Sequence, residues 1–435
     1  MSKFALLTRT GHWPTLLAAF LYFDFCFAIW VLNGAMAPFI SESFQLGPAQ
    51  RGFMISVPIL AGALMRLPLG LLSQYIGRKN AAMLEMGLIV AALVFGCVFV
   101  DRYDRVLAMG VLLGIAGASF GVAMSLGSGW YPAHLKGLAM GVAGAGNAGT
   151  VLAVLFAPPL AQALGWQAVY GLAAVTMLLP MAVMWMAAKE PPDVAPQRLR
   201  QHAACLFERD GWAFSLIYLV TFGGFIGLAA FLPTYYHDQF QVTKVQAGQL
   251  TVLATLMGSV VRVAGGALSD RIGGVNTLTG VLVIAAFSLV GCGVAGQSLV
   301  GSTLLLMLCF AAFGAGNGAL FQLVPLRWPM ATAVASSMIG EVGALGGGLI
   351  PNAMGQSLQR TGSYLGGFLA FATLAILMLG VLRMAQIRWT RTWAEQGGRA
   401  EVPRAAPGRA EATEANRSTQ DGARRLGLVR AHPLR

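Results

Sequence analysis

Charge is what this 435-residue sequence has least of: 11% of its residues are Asp, Glu, Lys or Arg, against roughly a quarter in soluble domains. With 57% apolar residues, a water-soluble fold has no way to hide so much apolar surface. Cysteine is sparse too. The five, Cys26, Cys97, Cys205, Cys292 and Cys309, are scattered without a CxxC pair or metal spacing, so they read as small buried hydrophobes. HExxH, a nucleophile elbow and a Cys/His cluster are missing, which argues against an enzyme and leaves no metal or cofactor to expect. None of the five histidines falls clearly in an apolar run, which argues against a histidine proton relay. The formal charge of +12 does not signal nucleic acid, because the basic residues are neither clustered on one helix nor interleaved with stacking aromatics.

What the sequence has instead is long apolar runs. Twelve lie near 13–40, 53–76, 80–100, 106–129, 136–160, 165–188, 212–236, 246–269, 275–295, 299–325, 330–354 and 363–386, each near or above the ~20 residues that cross ~30 Å of hydrocarbon. The fold class that follows is an all-α polytopic membrane protein of twelve transmembrane helices. Lys3 and Arg9 precede the first run without a short apolar core and small-residue cleavage site, so no removable signal peptide is predicted and the first helix is retained. Twelve spans put both termini on one side. If that side is the cytoplasm, the inside loops carry eleven basic residues before the tail (Lys3, Arg9, Arg78, Lys79, Lys136, Lys189, Arg198, Arg200, Arg209, Arg271, Arg327). The outside loops carry five (Arg51, Arg102, Arg105, Lys244, Arg360). The positive-inside rule therefore predicts cytoplasmic termini. The longest internal loop, 189–211, is predicted to be a cytoplasmic linker between six-helix bundles at 1–188 and 212–388. The stretch 389–435, rich in Ala, Arg, Glu and Gly, is expected to be a disordered cytoplasmic tail.

The two halves repeat each other. MISVPILAGALMRLPLGLLSQYIGRKN in the second run aligns with LTVLATLMGSVVRVAGGALSDRIGGVN in the eighth at an offset of 196. Gly62 then matches Gly258, Arg66 matches Arg262, Gly70 matches Gly266 and Gly77 matches Gly273. GVAGAGNAG in the fifth run aligns with GEVGALGGG in the eleventh at an offset of 199, pairing Gly141 with Gly340, Gly144 with Gly343 and Gly149 with Gly348. Parallel six-helix repeats imply two pseudo-symmetric bundles facing each other, with a substrate site near the midplane between them. That is a transporter architecture.

Ionisable residues inside the runs need a reason, since each costs ~2.5–3.5 kcal/mol at the bilayer centre on an insertion scale. Five qualify: Asp24, Arg66, Glu85, Arg262 and Glu341. The repeat would bring Arg66 and Arg262 to opposite walls of one cavity. There they form either an anion-binding pair or structural ion pairs with the acids, although positions 24 and 341 are not repeat partners. A guanidinium stays charged and its planar fork matches planar oxyanions, so a pair favours a small monovalent anion. Gly144, Gly146 and Gly149 spell a formal GxGxxG, but no strand precedes it and it lies within a span, so the dinucleotide reading fails. Glycine at this spacing makes a smooth helix face that lets helices pack closely. Asn147 on that face either donates to an anion or bridges helices.

From about Pro14 to Pro351 the chain resembles the nitrate/nitrite porter family of the major facilitator superfamily. The resemblance rests on FLYFDFCFAIWVLNGAMAPFI, VPILAGALMRLPLGLLSQYIGRK, GLAMGVAGAGNAG, YLVTFGGFIGLAAFLPTYYHDQF, VRVAGGALSDRIGG and GEVGALGGGLIP. It implies that Arg66 and Arg262 clamp nitrate or nitrite between the halves and that Asn147 contacts the anion. It also implies that Tyr218, Phe222 and Phe120 line the site, where ring edges carry positive potential and exclude water. Gly141, Gly144, Gly146 and Gly149, with Gly340, Gly343 and Gly346, would be the two glycine signatures. Asp270 and Arg271 would form the superfamily's cytoplasmic latch; the first copy has Gln74 and Tyr75 instead, which implies a weaker N-terminal latch. The expected mechanism is alternating access in a bacterial inner membrane, by a monomer, through nitrate/nitrite exchange or proton symport. Asp24 is the candidate proton carrier; its other reading is a helix-bridging carboxylate or partner to a core arginine. Glu85, near the end of its run, is expected to snorkel. A carrier of another small anion would keep the same fold and arginine pair.

Overall fold

The computed structural model describes residues 8–192, 208–294, 298–328, 332–392, 394–395 and 399–400. Most of the expected linker and most of the expected tail lie outside them, as does the Asp270 side chain.

The described residues fold into twelve long helical stretches. α1 (Trp13–Trp30) continues through two short helical pieces, Leu32–Ala35 and Ala37–Phe44. α2 is Pro48–Ile76, α3 Arg78–Phe99, and α4 is built of Tyr103–Gly114, a 3-10 turn at Ile115–Ala118 and Ser119–Ser128. α5 follows the same plan: Ala133–Gly144, a 3-10 turn at Ala145–Ala148, then Gly149–Leu164. α6 is Trp166–Ala187, α7 Arg209–Phe240, α8 Lys244–Ile272, α9 Gly274–Val294, α10 Leu299–Arg327, α11 Thr332–Thr361 and α12 Leu365–Thr392. α12 thus runs four residues into the stretch whose composition suggested a tail, and a two-residue antiparallel pairing, Ala394–Glu395 with Arg399–Ala400, lies beyond it.

Eleven of these helices are long and apolar enough to cross a membrane alone. The twelfth, α11, carries Glu341 and many glycines, and it packs against α2 and α7. A helix shielded by its neighbours needs less hydropathy than one facing lipid. Side chains such as Val263, Trp185 and Val294 are well exposed on the outer surface. Such a surface suits hydrocarbon and would be a liability in water.

The sequence repeat reappears as repeated turns. Among the described residues every backbone with positive φ has a partner in the other half: Gln45 with Gln241, Gly77 with Gly273, and Gly165 with Gly362. Gly77 and Gly273 both sit at φ +88°, where the chain reverses between α2 and α3 or between α8 and α9; a residue with a Cβ is strained there. Gln50 and Gln246 cap the starts of α2 and α8 by accepting the N–H of Gly47 and Thr243, each at 3.1 Å. Thr243 completes its box by accepting the N–H of Gln246. The internal crossings repeat as well. α2 meets α4 at Gly62 and Gly114, and α8 meets α10 at Gly258 and Gly314, at separations that leave no room for a side-chain carbon.

The two bundles face each other through α2 against α11 and α5 against α8. At the end where α1 finishes and α2 begins, ion pairs cross from one bundle to the other: Arg51 to Asp238 at 2.8 Å, and Lys244 to Glu42. Tyr364 donates to the same Asp238 at 2.9 Å. The backbone of Ala49 donates to Gln359 at 2.9 Å. At the end where the chain starts, Arg78 pairs with Glu190 at 3.5 Å within the first bundle. Arg327 pairs with Glu208 and Asp210 at 2.5 and 2.6 Å within the second.

Candidate anion site

Arg66 stands mid-way along α2 and is 4% exposed. Its Nε donates to the carbonyl of Gly117 at 2.9 Å and its Nη1 to the carbonyl of Gly340 at 2.6 Å. The first acceptor belongs to the 3-10 turn of α4, whose tightened ladder tilts its carbonyls off the α pattern. The second belongs to α11 of the opposite bundle, so the side chain bridges the halves. The guanidinium carbon lies 5.2, 5.4 and 5.5 Å from the ring centres of Trp30, Phe222 and Phe120. Cation–π attraction contributes about 0.5–2 kcal/mol per ring, and it offsets part of the penalty for burying the charge.

α7 supplies one wall. Tyr218 and Phe222 are one turn apart and stack with ring centres 4.9 Å apart and 4° between planes. Phe321 of α10 meets Tyr218 edge-on at 5.1 Å and reaches Phe120 at 6.2 Å. Arg66 and Arg262 both act electrostatically on Tyr218, and Arg262 shares a hydrogen bond with it. The Nη2 of Arg66 and the Nη1 of Arg262 are buried and make no hydrogen bond among the described residues. Asn147 sits in the 3-10 turn of α5, buried, with its side-chain oxygen also unpaired among them. Its amide can turn to present either an oxygen or an NH2.

The glycine segments divide by neighbour. A side-chain carbon at Gly340 would sit 3.3 Å from Arg66 and 3.4 Å from Phe120, and one at Gly144 would sit 3.8 Å from Arg262. Gly146 backs onto Phe23, Gly149 onto the Asp24 carbonyl, Gly343 onto the Tyr218 ring and Gly346 onto Leu219. Gly141 has nothing within 4 Å among the described residues.

Other sequence candidates lie elsewhere. Asp24 is buried on α1 where it crosses α5, with one carboxylate oxygen unpaired among the described residues. The acids acting on Arg66 are Glu341 of α11 and Glu85 of α3. Arg271 and Tyr75 are exposed at the bundle's end. The expectation that Glu85 snorkels is overturned: it is 0% exposed and accepts a hydrogen bond from Tyr22 of α1. Sequence reasoning also missed Trp30, Phe321 and the Gly117 carbonyl. Phe321 had a signal, because aligning GASFG at 117–121 with GALFQ at 318–322 makes it the partner of Phe120.

A family model for the Major Facilitator Superfamily matches residues 18–370. The chain is 31% identical over 378 residues to the "Probable nitrate/nitrite antiporter NarK1" of Thermus thermophilus, covering 79% of this chain and 84% of that protein. The chain belongs to the major facilitator superfamily, in its nitrate/nitrite porter family. A "Nitrite extrusion protein" of Bacillus subtilis (strain 168) is 28% identical over 355 residues, covering 80% and 88% of the two chains. Among solved structures, this porter resembles a bacterial homologue of the human lysosomal transporter Spinster in an inward-facing, occupied conformation. The TM-score is 0.67, with 19% identity over 86% of this chain and 97% of that one. The human organic anion transporter MFSD10 also gives 0.67, with 17% identity over 85% and 99%. At these identities the two structures bear on the fold alone. The family resemblance read from the two arginines and the glycine segments is borne out.

Proposed function

We propose that this porter carries nitrate and nitrite across a bacterial inner membrane by alternating access, with the anion held between Arg66 and Arg262. The observation that carries the reading is the convergence of two repeat-related guanidiniums, one from each bundle, on Tyr218, each keeping a buried N–H unpaired among the described residues. A flat oxyanion accepts such donors in its own plane while the stacked rings of Tyr218 and Phe222 exclude water. The names of the curated relatives supply the anion. Asn147 is the third polar contact, and Phe120 completes the wall. The two guanidiniums repel each other, and a bound anion screens that repulsion, which favours closure of the bundles around substrate.

With both termini cytoplasmic, as the basic residues of the loops favour, the end joined by Arg51–Asp238 and Lys244–Glu42 is the outer one, and the conformer is closed outward. Asp270 and Arg271 would then latch the inner end of the second bundle when the carrier turns outward. The two bundles, α1 to α6 and α7 to α12, act as one monomer.

The test is uptake of labelled nitrate into proteoliposomes, with internal nitrite present or absent, by wild type, Arg66→Lys and Arg262→Lys. Lysine keeps the charge and loses the planar fork. A fall in uptake of about tenfold or more is expected in both variants. Failure of wild type to move either anion would leave a superfamily carrier of another small anion.

A further inference from the structure

One buried acid acts on Arg66 and has no assigned role in the transport reading above. Glu85 lies two turns into α3, 0% exposed. One of its carboxylate oxygens accepts the hydroxyl of Tyr22 from α1, itself fully buried. The other, Oε1, is buried and makes no hydrogen bond among the described residues. The titratable and charged groups that face it are Tyr22 and Cys26 from α1 and Arg66 from α2. α6 also packs on α3, but it has no Asp, Glu, Lys, Arg or His, and its Tyr170 is engaged with Asn33 at 2.6 Å. α4 contributes Ser119, which hydrogen-bonds Cys26. Among the described residues Glu85 therefore has one cationic neighbour, the arginine that also faces the anion.

We propose that Glu85 is the proton-binding site that couples anion movement to a proton, its free oxygen Oε1 taking the proton while Tyr22 holds the other oxygen in both protonation states. This rests on the anion-transport reading above and assigns the coupling to Glu85 rather than Asp24. The argument is a charge count in a medium of low dielectric, where an unpaired charge is costly and a paired one less so. Empty, Arg66 and ionised Glu85 sum to zero. With anion and proton both bound, Arg66 and the anion sum to zero and Glu85 is neutral. Either ligand alone leaves one net charge at this pair, negative with the anion and positive with the proton. The two neutral states are the ones that cross between conformations, which is symport of one proton with one anion. Linkage gives the same result locally. Protonating Glu85 removes one of the two acids that act on Arg66 and leaves more of its charge to the anion, so the anion must raise the proton affinity of Glu85 by the same factor. The proton enters from one aqueous side, rests on Oε1 and leaves on the other; no other bond is made or broken.

The experiment compares wild type, Glu85→Gln and Tyr22→Phe in proteoliposomes, reading labelled nitrate accumulation under an imposed pH gradient and, separately, exchange against internal nitrite. Glutamine mimics the protonated acid. Glu85→Gln is expected to lose gradient-driven accumulation by at least about tenfold while nitrite exchange stays within about twofold. Gradient-driven accumulation that survives the substitution overturns the proposal, as does loss of both modes in a correctly reconstituted variant, which would mark Glu85 as a structural acid. A wild type that exchanges anions but ignores the pH gradient also overturns it and leaves the transport reading standing. A wild type that moves neither anion refutes the transport reading itself. Should Glu85→Gln fail to fold, Tyr22→Phe decides. Removing the donor to the carboxylate is expected to shift the pH of half-maximal uptake upward by about one unit, and an unmoved profile counts against the site.

Discussion

Arg66 and Arg262 occupy the same place in a 196-residue repeat, and the fold treats them differently. Arg66 is buried, donates to two backbone carbonyls, reaches the opposite bundle and is ringed by Trp30, Phe120 and Phe222. Arg262 is half-buried and works with Tyr218. The helices around them differ in the same sense. In the first bundle α4 and α5 each break into a 3-10 turn, whereas the described residues of their counterparts α10 and α11 run without one. A repeat fixes where a charge enters the molecule; whether it is locked or free depends on what the neighbouring helices offer it. The first bundle holds its arginine with two backbone carbonyls and three rings, and the second holds its arginine through Tyr218.

The largest effect that would test this contrast is the size of the two lysine substitutions. Hydrogen bonds from a charged donor contribute about 1.5–3 kcal/mol each. Arg66→Lys is therefore expected to lower the initial rate of nitrate uptake roughly 100-fold, and Arg262→Lys roughly tenfold, since fewer fixed partners depend on its fork. Equal losses would abolish the distinction between the two arginines.

The glycines sharpen it next. A methyl group at Gly149 meets the α1 backbone at Asp24, which cannot swing aside, while one at Gly343 meets the Tyr218 ring. Overpacking costs about 1–3 kcal/mol. Gly149→Ala should therefore lower the detergent-solubilised unfolding temperature clearly, and Gly343→Ala should damage uptake more than stability. Gly141→Ala, with open space around it, should change neither. Matching stability losses at Gly149 and Gly343 would show that both bundles are equally rigid there.

The smallest effect concerns the two ends. Asp238→Asn removes the pair with Arg51, whose side chains are 14% and 19% exposed, a contribution of about 1 kcal/mol. Impermeant labelling of a cysteine placed at Ser357 should quicken about fivefold. An unchanged rate would mean that the close α2–α11 contact at Gly52 and Gly355 holds this end without the ion pair.

Much of this was legible in the chain before any coordinates. Twelve apolar runs, the repeat and the arginine pair needed only hydropathy and alignment, and Phe120, Tyr218 and Phe222 followed from the family resemblance. Glu85 was misread because its run places it near a helix end, and nothing in α3 alone reveals that Tyr22 stands opposite. Trp30 escaped because an aromatic facing lipid and one facing a guanidinium have the same hydropathy.

By itself, then, the sequence determined the number of helices, their pairing into two related bundles, the glycine-bearing turns at 77 and 273, and the presence of two charges at matched depth. Those features are set by composition and local conformation, which each segment carries with it. Tertiary structure decided the rotation of each helix about its axis, and so which carbonyls reach Arg66, which rings enclose it and which acid faces it. Helix rotation is a property of packing between segments far apart in the chain, and in lipid, where apolar surface gains nothing by hiding, close packing and polar pairing are what set it.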